Sequence, residues 1–572
     1  MCTLEFPSWQ LYVGQKLQIG ASQAWACIHP ALGGIGVAGT MATFFVALYY
    51  NVIVAWAIWF LGNSFGNPLA WDDSGNSTTG AIDFWEVATL GCRGNRSTCS
   101  WTNVTGWAEV EARGPNLWQT GGLVGPLVGC LAFGWFLIWL CVSKGIESLG
   151  KVAWFTAIFP YFVLAVLLVR GLTLPGASAG LHFYLSPRFD RLGDPKVWIA
   201  AASQIFYSTG VGWGTLIAFA SYNETDHNYM RDAWLVPLIN CGTSFLAGLV
   251  VFSVLGFMAT EQGVRVEELR LQGSGLAFVA YPSALSQMYG ANLFAFLFFI
   301  MVICLGVDSQ FAMVETVLTT LNDARFLPTW SKAQRAALVC SGMALVGLLF
   351  VTRAGLHWLD LFDTFSVTIT LFLCGALECI GVCWVYGADR FAADTLRMTK
   401  VRVPRLLLFD LTYIIPSLLC ILTIWSLYST VVAGYPFPPT GLFLGWVLSL
   451  VSCVPIVYAL CKHGAPAVRL ALASCVAIVR SSAGGKPAGH NGRRPPPPPR
   501  LPPEVACATA HAVAGAGSPG ASSRAVVAAT GEASPASPAS RPPSSPLTVV
   551  TQKAPSVAGL RPDSEVDEVA VV

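Results

Sequence analysis

Long apolar segments recur along most of this chain and constrain its fold more than any other feature. A helix that crosses a bilayer needs about 20 mainly apolar residues, and ten segments meet this requirement, at residues 36–62, 122–143, 152–171, 198–220, 233–258, 291–321, 334–352, 360–387, 407–428 and 440–461. Lipid offers no hydrogen-bond partners, so each segment must satisfy its backbone internally, as a helix does. Only 11% of the 572 residues are charged, against roughly 25% in soluble domains. The sequence therefore predicts an all-α polytopic membrane protein.

One of these segments is interrupted in its middle. The string WIAAASQIFYSTGVGWGTLIAFASYN, residues 198–223, has apolar residues on both sides of a stretch with Gly210, Gly212 and Gly214. Each glycine costs about 1 kcal/mol in a helix interior. A break inside lipid is tolerated only where the freed backbone groups face protein, water or a bound ion. Discontinuous helices of this kind form solute sites in secondary transporters, and the sequence predicts such a site here.

Polar side chains accompany the break at helical spacing. Gln204 and Ser208 are four residues apart beside it, and Asn240 and Ser244 repeat this spacing in the next apolar segment. Together they offer amide and hydroxyl groups without a cation, which suits a dehydrated anion such as chloride. Serine and asparagine also join helices to one another in membranes. Each residue alone is therefore more often structural, and only the joint pattern favours a site.

A carboxylate lies inside another apolar segment. Asp308 and Ser309 occur in the string VICLGVDSQFAMVET, with Leu305 one turn earlier. An ionisable residue within a membrane is costly and indicates function by default. Hard cations prefer carboxylate, hydroxyl and carbonyl oxygens. The pattern therefore predicts a site for a cation such as Na⁺.

Residues 63–119 form a long polar loop between the first two apolar segments. Asn76, Asn95 and Asn103 each begin an N-glycosylation tripeptide, which favours an extracellular loop. Cys92 and Cys99 lie in the same loop, where an oxidising compartment would permit a disulfide. Basic residues cluster at 390–405, which this orientation puts inside, as the positive-inside rule expects. An even number of spans then puts both termini in the cytoplasm.

The composition changes at residue 463. Proline, alanine, serine and glycine dominate residues 463–572, and such a segment cannot bury enough apolar area to fold, so we expect disorder. Five prolines between Arg494 and Arg500 are typical of a polyproline II ligand for an SH3-type domain. The end at Val572 would suit a PDZ-type groove, although a tail without partners is the simpler interpretation. A net charge of +2 gives no indication of a nucleic-acid partner.

Several long strings resemble the neurotransmitter:sodium symporter family. They are VALYYNVIVAWA, QIFYSTGVGWGTLIAFASYN, RDAWLVPLINCGTSFLAGLVVFSVLGFMA, GSGLAFVAYPSA, LGVDSQFAMVE and WVYGADRF, and the resemblance covers roughly residues 10–462. It implies an inverted-repeat sodium-symporter fold with about ten of the usual twelve helices. It also implies a transporter rather than an enzyme. Transport would couple Na⁺ and Cl⁻ to the movement of amino acids, GABA or monoamines across the plasma membrane by alternating access.

The resemblance also implies roles for individual residues. Na⁺ would be bound by Ser208 and Asn240 at a first site and by Leu305, Asp308 and Ser309 at a second, and Cl⁻ by Gln204, Ser208, Asn240 and Ser244. The substrate pocket would be lined by Val46, Tyr50, Tyr207, Trp213 and Ser309. The gate residues would be Asp363 on the extracellular side and Tyr222 and Asp323 on the cytoplasmic side. The pocket strings are closest to the amino-acid and GABA members. For isolated aromatic residues, simple packing is an equally good interpretation.

The family's first helix carries an Asn-x-Trp-Arg-Phe-Pro string that does not occur in this sequence. The match begins inside the second helix at Leu11, and Gln10 stands where the family usually has a glutamate. That first helix supplies part of each ion site in the family. Two interpretations stay open: a symporter with an incomplete gene model, or a non-transporting truncated product that associates with a full-length transporter.

Overall fold

The computed structural model describes residues 7–72, 79–91, 120–144, 146–269, 276–432 and 437–482. These residues are mainly helical. The helices are α1 (Ser8–Leu17), α2 (Ala21–Ile28), α3 (Gly33–Asn63), α4 (Thr79–Asp83), α5 (Gly125–Ser143), α6 (Ile146–Leu172), α7 (Ala177–Leu185), α8 (Pro195–Thr209), α9 (Thr215–Ala220), α10 (Tyr229–Glu261), α11 (Tyr281–Ser286), α12 (Ala291–Asp323), α13 (Lys332–Gly347), α14 (Gly355–Ser366), α15 (Thr368–Ile380), α16 (Ala388–Thr399), α17 (Arg405–Phe409), α18 (Ile415–Val432) and α19 (Pro439–Ser482). Four π-helical segments are Phe84–Thr89, Leu276–Ala280, Gly381–Gly387 and Asp410–Ile414.

Nine helical segments within the described residues are long and apolar enough to cross a bilayer. The tenth predicted span, residues 198–220, is divided between α8 and α9, neither of which is long enough to cross alone. The prediction of an all-α polytopic membrane protein is confirmed. The last helix continues to Ser482, past the predicted end of the final span at residue 461. The remaining tail lies outside the described residues.

Helix α3 lies at the centre of the larger apolar core. Val46, Ala47 and Val52 on this helix are fully buried, and α3 packs against α2, α5 and α12. The close approach of α12 depends on Gly306, because an added Cβ there would lie 2.6 Å from the Val54 side chain. Small residues permit such helix contacts in membranes. The Gln310 side chain on α12 also donates a hydrogen bond to the Ala47 carbonyl at 2.8 Å.

A second apolar cluster joins α1 and α2 to α9, α15 and α18. Trp25 and Phe372 are among its fully buried members. A buried polar contact crosses the same interface, since Glu378 on α15 accepts hydrogen bonds from Trp9 at 3.0 Å and from Gln10 at 2.6 Å. Helix α1 also packs along α9. The second half of the broken helix is thus held by the first helix of the described chain.

Candidate functional site

The predicted helix break is confirmed at the junction of α8 and α9. Helix α8 ends at Thr209 and α9 begins at Thr215. Between them Gly210, Gly212 and Gly214 have φ values of 71°, 81° and 80°, a conformation that only glycine adopts without strain. The Thr43 hydroxyl donates to the freed Trp213 carbonyl at 2.9 Å. This hydroxyl provides a partner for one of the carbonyls freed at the break, as the membrane environment requires.

The residues predicted to bind chloride lie on α8 and α10. The Asn240 amide donates a hydrogen bond to the Ser208 hydroxyl at 2.9 Å, so two of the four are in direct contact. Gln204 and Ser244 lie one turn away on the same helices, and their side chains are exposed. The arrangement offers N–H and O–H donors from two helices to an anion. Chloride binding by these residues remains a prediction.

The residues predicted to form the second sodium site lie on one turn of α12. The Ser309 hydroxyl donates to the Leu305 carbonyl at 3.2 Å, and the Asp308 carboxylate accepts a hydrogen bond from Thr156 on α6 at 2.9 Å. Carbonyl, carboxylate and hydroxyl oxygens form a ligand set that a hard cation prefers. Leu305 is 45% exposed, so this turn is open on one side. Within the described residues, no hydrogen bond joins this turn to Ser208 or Asn240.

The predicted pocket residues come from α3 and from the helix break. Tyr50 on α3 lies near Ser309 on α12, although no hydrogen bond between the two side chains is described. The rings of Tyr207 and Trp213 meet edge to face, with centroids 5.1 Å apart. Val46 is completely buried one turn before Tyr50. The structure therefore brings Tyr50 to the predicted sodium site and pairs the two aromatic residues at the break.

The predicted extracellular gate residue has a partner that the sequence did not indicate. Asp363 on α14 accepts a hydrogen bond from the Tyr49 hydroxyl at 2.7 Å. Tyr49 is almost fully buried and precedes Tyr50 in the same string. The pair of adjacent tyrosines was visible in the sequence, but nothing there assigned the two hydroxyls to different helices.

The predicted cytoplasmic gate residues lie near an ion pair that the sequence also did not indicate. The Tyr222 hydroxyl is 3.5 Å from Glu315, whose carboxylate pairs with Lys332 at 2.8 Å. The Glu315 side chain is only 3% exposed. The Asp323 backbone carbonyl accepts a hydrogen bond from Gln23 at 2.5 Å. The gating roles of Tyr222 and Asp323 remain predictions.

Some predicted features lie outside the described residues. These are the glycosylation sites Asn76, Asn95 and Asn103 and the cysteines Cys92 and Cys99. The proline run and the terminal Val572 also lie outside them. These features therefore remain expectations from the sequence.

The fold and the site define a class of protein. Many apolar helices, a helix broken at a glycine-rich stretch, and polar side chains within the apolar segments are the features of a secondary transporter. A model described as the sodium:neurotransmitter symporter family matches residues 6–464, and the chain belongs to this family. The predicted resemblance is confirmed, and the protein is a transporter rather than an enzyme.

Individual relatives support the same assignment. The chain is 38% identical over 473 residues to the mouse sodium- and chloride-dependent creatine transporter 1, covering 78% of this chain and 73% of the relative. It is 36% identical over 486 residues to the human sodium- and chloride-dependent neutral and basic amino acid transporter B(0+), covering 77% and 75%. Both relatives are named for dependence on Na⁺ and Cl⁻.

Proposed function

We propose that the protein carries a small amino acid or a GABA-like zwitterion across the plasma membrane, coupled to Na⁺ and Cl⁻. The observation that carries this proposal is that Tyr50 on α3 lies near Ser309 on the turn that also holds Asp308. This proximity joins the residue expected to meet the substrate carboxylate to the turn expected to hold Na⁺. Relatives named for creatine and for neutral and basic amino acids agree with a small zwitterionic substrate.

The aromatic residues at the break support a small substrate. Trp213 is nearly fully buried, and its indole packs against Tyr207. A large rigid ring at this position reduces the space beside the break. The Tyr50 hydroxyl would donate to the substrate carboxylate, and the glycine-rich break would bring backbone groups close to the ligand.

Alternating access would use the sodium gradient to accumulate the substrate. A tenfold gradient contributes about 1.4 kcal/mol per ion, and a potential of roughly 60 mV adds about 1.4 kcal/mol per charge. Two Na⁺ ions would then supply about 5.6 kcal/mol. This suffices for a gradient on the order of 10⁴-fold of a substrate that carries no net charge.

Substitution of Asp308 tests the proposal. We expect Asp308→Ala to abolish sodium-dependent uptake of labelled amino acids, GABA and creatine, because the cation loses its only charged ligand on α12. The matched control is Asp190→Ala, which removes an exposed carboxylate from the short 3₁₀ helix Phe189–Gly193 before α8. Uptake is measured in sodium and in choline, for the chain alone and for the chain with any in-frame codons upstream of Met1. Unchanged sodium coupling in Asp308→Ala would contradict the proposal.

We also propose that both termini lie in the cytoplasm and that residues 63–119 form a glycosylated extracellular loop with a Cys92–Cys99 disulfide. The proline run would then be accessible to SH3-type domains and Val572 to PDZ-type domains. The support is the sequence pattern alone. Glycosidase treatment and antibody access to an epitope after Val572 test the orientation.

A further inference from the structure

Thr156 on α6 contacts the carboxylate of the proposed sodium site. Its hydroxyl lies 2.9 Å from Oδ1 of Asp308, and the residue is only 6% exposed. We infer that Thr156 is a positioning residue, which orients the Asp308 carboxylate so that its other oxygen is free to bind Na⁺. The inference rests on the proposed function. Thr156 lies on α6, a helix that contributes none of the predicted ion ligands.

The hydrogen-bond choices of Thr156 favour this role. The same hydroxyl lies 3.0 Å from the Val152 carbonyl and 3.3 Å from the Ala153 carbonyl, but it has one proton to donate. An ionised carboxylate is a stronger acceptor than a carbonyl. Thr156 is also β-branched, so its χ1 angle has only two common values in a helix. The hydroxyl is therefore held in place before the cation arrives.

Asp308 depends on this contact for its orientation. Within the described residues, Thr156 provides the one side-chain hydrogen bond that Asp308 accepts. Among the described residues, the ionisable groups that interact with this carboxylate include Cys141, Cys304 and Tyr50, none of which is a cation. Without the Thr156 hydroxyl, the Asp308 carboxylate would be free to rotate. Na⁺ binding would then have to restrict this rotation, and the affinity for Na⁺ would fall.

A sodium titration separates positioning from simple helix packing. The purified full chain is heated at increasing Na⁺ with choline as the replacement ion, because a ligand that binds the folded state raises the melting temperature. We expect Thr156→Val to raise the half-maximal sodium concentration about tenfold, the equivalent of one lost charged hydrogen bond. Thr156→Ser keeps the hydroxyl, and we expect a value within about twofold of the native one.

The matched control is Thr316→Val on α12. Thr316 is equally buried, and its hydroxyl donates to the Ala312 carbonyl at 2.9 Å, away from Asp308. This variant should lower the melting temperature without changing the sodium midpoint. If Thr156→Val reduces the yield, Thr156→Ala gives the same comparison.

A native sodium midpoint in Thr156→Val, or an equal loss in Thr156→Ser, would overturn the inference. The proposed function fails separately. It fails if Na⁺ stabilises the native chain but neither the chain alone nor the chain with upstream in-frame codons shows sodium-dependent uptake. In that case the positioning role of Thr156 at a sodium site would still stand. Absence of any sodium effect on the native protein would overturn both.

Discussion

The adjacent tyrosines of α3 contact two different helices. Tyr49 donates to Asp363 on α14 at 2.7 Å, whereas Tyr50 lies beside Ser309 on α12. Successive residues of a helix are separated by about 100° around its axis, so neighbours in sequence reach different partners. One helix therefore connects the proposed outer gate to the proposed sodium site.

Removal of the Tyr49 hydroxyl tests the importance of this connection. We expect Tyr49→Phe to destabilise the protein by about 1.5–3 kcal/mol, because a buried hydrogen bond to a carboxylate is lost. The measurement is thermal unfolding in detergent, with substrate uptake as a second readout. Tyr281→Phe is the control, since Tyr281 is also buried and stacks on Phe298 without a described hydrogen bond to its hydroxyl. Equal melting temperatures for the two variants would contradict the prediction.

The contact between Gln10 and Glu378 explains an unusual residue of the sequence. Gln10 stands where the family resemblance implies a glutamate, and its amide donates to the buried Glu378 carboxylate at 2.6 Å. A glutamate in its place would put a second carboxyl group against Glu378, and two adjacent carboxylates cannot easily both ionise. The amide avoids this repulsion. The sequence pattern marked Gln10 as unusual, but only the structure identified its partner.

At the scale of helices, the break between α8 and α9 is held by both its conformation and its packing. Gly212 has a φ of 81°, and an added Cβ would lie 3.1 Å from the Leu371 carbonyl oxygen. Asp194 precedes α8 as its N-cap, and its side chain accepts a hydrogen bond from the Lys196 backbone N–H at 3.0 Å. Pro195 occupies the first helical position. Helix capping and glycine placement thus define the start of α8 and its interruption.

Substitution of Gly212 should show that the break is required. We expect Gly212→Ala to destabilise the protein by about 1–2 kcal/mol, because the left-handed conformation is strained for alanine and the Leu371 carbonyl must move. Gly342→Ala, within α13 and with open space around its Cβ, should instead stabilise the protein by up to about 1 kcal/mol. Thermal unfolding of both variants measures the difference. The same sign for both would contradict the strain argument.

At the scale of the whole molecule, one polar cluster joins the beginning of the described chain to α16. Lys16 on α1 contacts both Asp394 and Tyr386, and Tyr12 donates to Asp394 at 3.1 Å. The Lys16 nitrogen also lies 4.7 Å from the centre of the Tyr386 ring. Neighbouring Gln18 donates to the Asn223 carbonyl at 2.7 Å. The end of α1 is therefore tied to α16 and to the segment after the broken helix.

A charge exchange tests this long-range connection. We expect Lys16→Met to destabilise the protein by about 1–2 kcal/mol, because the partly buried Asp394 carboxylate loses its nearest cation and keeps only the exposed Arg397. Combining Lys16→Asp with Asp394→Lys should restore part of the loss. Arg397→Met is the control. The Arg397 side chain is 82% exposed and lies 3.7 Å from the same Asp394 carboxylate, and such exposed ion pairs contribute little to the free energy of unfolding. The measurement is thermal unfolding, and an equal loss in Arg397→Met would contradict the prediction.

Much of the fold could be predicted from local sequence. The apolar segments indicated the spans, and the glycines near Ser208 indicated the break, because lipid and backbone geometry act on each segment by itself. The last helix extends beyond its predicted end, since the change in composition at residue 463 is not a strong stop signal. The resemblance supplied the residues on α8, α10 and α12, but not their contacts.

The sequence by itself determined the class of fold, the position of the broken helix and the family. Only the tertiary structure decided which side chains meet: Thr156 with Asp308, Tyr49 with Asp363, and Lys16 with Asp394. These partners are 152, 314 and 378 residues apart. Membrane helices are apolar on most sides, so no periodic pattern reveals the neighbour of each face. The physical reason is that helix formation depends on adjacent residues, whereas the site depends on packing between distant ones.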